Sequence, residues 1–66
     1  MKTTTSLVER KVSAVATLRE RMVKDPSIVA RLADYLVVTK ATVYGYLAGD
    51  YLPSTANLTA LERFLR

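Results

Sequence analysis

The sequence predicts an all-α protein, a small four-helix domain. Apolar residues recur at three- and four-residue spacing, and no apolar–polar alternation lasts four residues. Only two glycines and two prolines punctuate an otherwise helix-permissive chain. A chain of 66 residues allows one domain, spanning 1–66. At that size about 60% of the unfolded surface is buried, so the core is small.

The first helix is expected over residues 6–24. Leu7, Val8, Val12, Val15, Leu18 and Met22 form its apolar stripe, with Arg10, Lys11, Arg19, Glu20 and Arg21 mostly between them. Residues 1–5, with the threonines Thr3 to Thr5, lack apolar partners and read as a loose arm. Asp25-Pro26 reads as a stop and a restart, with Asp as N-cap and Pro at the first helical position. The second helix, 26–36, carries Ile28, Val29, Leu32, Ala33 and Leu36. No turn residue follows, only Val37-Val38, yet Thr39 is a good N-cap for a third helix over 40–48 that stops at Gly49. Ser54 or Thr55 caps a last helix over 55–65, with Leu58, Leu61, Phe64 and Leu65 inward.

Composition narrows function. The absence of Cys and His removes disulfides, thiolate nucleophiles and nearly every zinc site. Six carboxylates, four lysines and four tyrosines form no recognisable catalytic set, so no catalytic residue is expected. The glycines fit no phosphate-cradling loop, and no cofactor, metal or small-molecule ligand is expected. A net charge of +4 favours a polyanion or an acidic surface as partner. The Met1-Lys2-Thr3 start has no signal-peptide core, and the longest apolar run, Tyr35 to Val38, is far short of a membrane span. A cytoplasmic protein without membrane contact is therefore expected.

Residues 28–48 hold the informative pattern. A short helix, a tight three-residue link and a second short helix meet the requirements of a helix-turn-helix, whose second helix enters the DNA major groove. Ala33 supplies the small residue at the helix crossing. Leu32 and Leu36 face Val38, Val43, Tyr46 and Leu47. Lys40, Ala41, Thr42, Tyr44 and Gly45 remain for the outward face.

Residues 42–54, from Thr42-Val43-Tyr44-Gly45-Tyr46 through Gly49 to Pro53-Ser54, resemble the end of the motif in the phage repressor, Cro and XRE-type (lambda-repressor-like) family. Thr42, Val43, Tyr46, Gly49, Pro53 and Ser54 match in register. Upstream, Leu32-Ala33 and Val38 fit the supporting helix and the aliphatic after the turn. The resemblance covers roughly 29–65. It implies a DNA-binding transcriptional regulator that occupies operator DNA as a homodimer, with helix 40–48 in the major groove, in a prokaryotic cell or phage-infected host.

Three positions depart from the pattern. The usual turn glycine is Val37, and a β-branched residue at positive φ is costly, so either the turn takes another geometry or the match is coincidental. The glutamine that often opens the supporting helix is Val29. The fifth helix often used for dimerisation has no counterpart among these residues. The long first helix, or the last helix around Phe64, is expected to serve instead.

The candidate DNA-contacting residues are Arg31, Thr39, Lys40, Ala41, Thr42, Tyr44, Gly45 and Tyr51. Lys40 reads as a guanine or phosphate donor, or as an ordinary solvated lysine. Thr39 and Thr42 suit a phosphate or a thymine methyl, although Thr39 also serves simply as a cap. Tyr44 faces outward, suited to a base, a phosphate or a protein partner. Gly45 costs about 1 kcal/mol in mid-helix, which suggests close approach of DNA or another helix. Tyr51 reads as a phosphate contact or as a lid over the core, and Arg31 as a phosphate clamp. Arg19, Arg21 and Lys24 also read as a solvated, dipole-complementing face.

Charge placement opposes the DNA reading. Six of the ten basic residues lie between Arg10 and Arg31, and the presumed reading helix holds only Lys40. Two alternatives stand beside it. One is a helical protein-interaction module using Tyr35, Val37, Tyr44, Tyr51 and Leu52. The other is the DNA-binding antitoxin of a toxin–antitoxin pair.

Overall fold

The computed structural model describes residues 6–66, so the expected loose arm, residues 1–5, lies outside the described residues. The described chain is all-α: α1 (Leu7–Lys24), α2 (Ile28–Leu36), α3 (Lys40–Ala48) and α4 (Thr55–Leu65). Ser6 opens α1 with a capping box. Its hydroxyl accepts from the Glu9 N–H at 3.1 Å, and the Glu9 carboxylate accepts from the Ser6 N–H at 2.9 Å. That backbone bond, reinforced by the Ser6 side chain, holds the Glu9 carboxyl below its ordinary pKa.

The second helix starts at Ile28, two residues later than Pro26 suggested. Asp25 does stop α1, but Pro26-Ser27 form a tighter turn first, with Ile28 bonding back to Asp25 and Val29 to Pro26. The Asp25 carboxylate accepts from the Ser27 hydroxyl at 2.6 Å and the Ser27 N–H at 3.2 Å. Those bonds, the hydroxyl's first, hold Asp25 below its ordinary pKa, with Arg31 adding to the effect. Ser54 caps α4 by accepting from the Asn57 N–H at 3.2 Å.

The core lies where all four helices meet. Leu18 of α1, Leu32 of α2, Val43 of α3, and Leu58 and Leu61 of α4 are fully enclosed. Ala14, Val15, Ile28, Val29, Ala33, Leu36, Tyr46 and Leu65 complete it, with Val38, Leu47 and Phe64 packed at its edge. The inward residues expected of α2, α3 and α4 thus occupy the core.

The α1 stripe differs from expectation. Val15 and Leu18 are buried, but Leu7, Val8 and Val12 are exposed. The reason is geometric. α1 has 18 residues, whereas α2, α3 and α4 have 9, 9 and 11, and the buried residues of α1 lie between Ala14 and Leu18. The first turns of α1 meet α4 instead through an ion pair in which Arg10 Nη2 lies 2.7 Å from Glu62 Oε1. Among the described residues no helix is long and apolar enough to cross a membrane.

Candidate nucleic-acid interface

The helix pair α2–α3 is joined by Val37, Val38 and Thr39. Val37 adopts φ 57° and ψ 49°, the left-handed conformation that the sequence argued against. The expectation of another turn geometry is therefore corrected. The Val38 N–H reaches the Ala33 carbonyl at 2.9 Å and the Val37 N–H reaches Asp34 at 3.3 Å, a Schellman closure of α2. The packing explains why valine accepts it. Leu36 is buried and Val38 packs against the core, so the chain must reverse within one residue between them. The Val37 side chain itself is 89% exposed and gains little from its position.

Thr39 then caps α3, its hydroxyl accepting from the Thr42 N–H at 3.2 Å. The two threonine hydroxyls lie 3.1 Å apart, and Thr42 is half-buried rather than fully outward. At 100° per residue, Lys40, Tyr44 and Ala48 fall in one line with Ala41 beside it, and all four are exposed. Val43 and Tyr46 face the core on the opposite side. The Tyr46 hydroxyl accepts from Asn57 Nδ2 at 3.2 Å, which ties α3 to α4.

Gly45 corrects another expectation. It is buried rather than outward, because the Tyr51 ring lies across it. A β-carbon at Gly45 would overlap that ring and its hydroxyl. The close approach that a mid-helix glycine allows is therefore made by the chain's own loop. Tyr51 also meets Tyr46 edge-on, with ring centroids 5.6 Å apart, yet stays 48% exposed. It is a lid with one open side.

The remaining candidates lie off α3. Arg31 on α2 pairs with the Asp25 carboxylate across the α1–α2 turn. Both side chains stay largely exposed, so this pair adds little to stability. Tyr35 packs against Phe64 at 5.4 Å, joining α2 to α4. Of the five residues considered for an apolar patch, Tyr35 therefore engages α4, while Tyr51 engages α3.

One role was read from sequence on the wrong helix. Arg19 of α1 donates through Nε and Nη2 to the Leu47 carbonyl, at 3.2 and 2.8 Å. It places positive charge at the C-terminal end of α3, where orphan carbonyls and the helix dipole favour it. Dipole complementation was read for this part of α1, but on its own helix. Only the tertiary fold identifies α3 as the beneficiary. A groove of about 510 Å³ beside Thr17, Arg21, Lys24, Ile28, Arg31 and Phe64 includes no residue of α3, and Glu20 and Asp25 offset its cations.

The chemistry offered by the α3 face is one cation, the apolar surfaces of Ala41 and Ala48, and a Tyr44 hydroxyl, with the Tyr51 ring at the flank. No family model matches the chain, and neither curated proteins nor solved structures give a match.

Proposed function

We propose that the protein is a sequence-specific DNA-binding transcriptional regulator of the phage repressor or Cro kind. It acts as a homodimer that sets α3 in the major groove of operator DNA. The observation that carries this reading is the exposed line Lys40–Tyr44–Ala48 with Ala41 beside it, held outward by a Schellman turn and a capped helix start. In that setting Lys40 donates to guanine, Ala41 and Ala48 meet thymine methyls, and Tyr44 reaches a base edge or phosphate. Thr39 lies at the helix start, where phosphates pass. Tyr51, fixed by Gly45, offers its open side to the backbone.

Operator occupancy would regulate transcription. One cation on α3 is few for tight binding, so two tethered copies gain what a single copy lacks. The cheapest test selects sites from a randomised duplex library and titrates the winner at two salt concentrations. Binding should weaken steeply with salt. Failure to select any duplex would contradict the reading. The exposed Tyr44, Tyr51 and Leu52 favour a second reading, a helical protein-interaction module or antitoxin. Its partner contact would respond little to salt.

A further inference from the structure

We propose that the exposed face of α1 joins two copies of the chain in an antiparallel pair centred on Ala16. This rests on the homodimer in the reading above and does not require that the dimer bind DNA. The core takes one face of α1, through Ala14, Val15 and Leu18. Val8, Val12 and Val23 remain 60%, 53% and 77% exposed, and Ala16 is exposed with them. At 100° per residue these four fall within about 80° of one another, so they make one stripe along the helix. Scattered exposed valines are ordinary, but an aligned row marks an interaction surface. Arg19 falls within the row, with its guanidinium held on the Leu47 carbonyl.

Charge identifies the occupant as a second copy and fixes its direction. Glu9, Ser13, Glu20 and Lys24 border one edge of the row. A parallel pair would set this edge against the row's other edge, where Val15 and Met22 turn toward the core, and would leave Glu20 and Lys24 without a charge to meet. An antiparallel pair about Ala16 sets Glu9 beside Lys24 of the second copy at both ends, and Glu20 beside Ser13. It also brings Val8 against Val23, and the two helix dipoles then oppose, which favours the arrangement. Alanine at the centre allows close approach.

The chain has no cysteine, so single-cysteine variants of the full protein report the geometry cleanly. On mild oxidation Ala16→Cys should cross-link to itself at least about tenfold faster than Val8→Cys or Val23→Cys alone. An equimolar mixture of Val8→Cys and Val23→Cys should cross-link between the two variants. Val12→Lys sets a second cation opposite Arg19 of the other copy, so sedimentation should show the dimer weakened about tenfold or more. Its helical circular dichroism should be unchanged, because the position is already open in the single chain. A monomer at the highest soluble concentration would overturn the proposal. So would self-linking at Val8 equal to that at Ala16, which would mean a parallel pair. A dimer lost on Phe64→Ala but kept in Val12→Lys would overturn it while leaving the DNA reading intact.

Discussion

The two helix ends at Val37 and Gly49 share a backbone conformation and differ in residue. At the end of α2, Val38 bonds back to Ala33 with Val37 at φ 57°. At the end of α3, Asp50 bonds back to Gly45 at 3.0 Å with Gly49 at φ 83°. Glycine takes this conformation freely, whereas an L side chain pays about 1–2 kcal/mol for it. The difference teaches where each turn originates. The stop after α3 is local, encoded by glycine itself. The stop after α2 is imposed by tertiary packing, because Leu36 and Val38 must both reach the core. The residue most strained in the described chain thus sits in the link that aims α3.

Disturbing that packing should have the largest effect. Ala33 is buried and its carbonyl accepts the closing bond from Val38, so Ala33→Leu should overpack the α2–α3 junction and cost about 1–3 kcal/mol. An unchanged thermal melt would mean that the helices do not cross there.

Exchanging the residues comes next. Nothing lies within 4 Å of a β-carbon built at Gly49, so Gly49→Val isolates the backbone cost. Chemical denaturation should show a loss of about 1–2 kcal/mol. Val37→Gly should move the other way by about 0.5–1 kcal/mol, since relieved strain is partly offset by glycine's greater chain entropy. A destabilised Val37→Gly variant would show that the valine side chain earns its place by contact.

The smallest effect is acid sensitivity at the helix starts and ion pairs. Glu9 is held below its ordinary pKa by its bond from the Ser6 backbone, Asp25 by the Ser27 hydroxyl, and Glu62 by Arg10. The unfolded chain therefore binds more protons in acid than the folded one. Their contribution is present above the ordinary carboxylate range, about pH 4, and is lost as pH falls through the lowered values. Melts of Asp25→Asn should show a shallower acid-side decline than the parent. An identical slope would remove Asp25 from this account.

Four helices were legible because periodicity and the caps Thr39 and Ser54 are local signals. The capping box at Ser6 and Glu9 was equally local, a Ser followed three residues later by Glu, but was not singled out. The left-handed Val37 was not legible, since propensity argues against it and only the fold compels it. The exposure of Val8 and Val12 depended on how far the shorter helices extend along α1. In the candidate site, the outward placement of Lys40, Ala41 and Tyr44 followed from helical phase. The covering of Gly45 by Tyr51 and the reach of Arg19 to Leu47 needed the loop and the helix packing, which spacing along the chain does not convey.

In the proposed complex the α3 face reads base sequence while α2 only meets the backbone. Titration of Lys40→Ala, Tyr44→Ala and Arg31→Ala on a selected duplex and on a matched random duplex tests it most directly. Lys40→Ala and Tyr44→Ala should each lose about 1–3 kcal/mol on the selected duplex and much less on the random one. Arg31→Ala should weaken both alike and reduce the salt slope by about one. If the Lys40 and Tyr44 variants bind both duplexes like the parent, α3 does not read DNA.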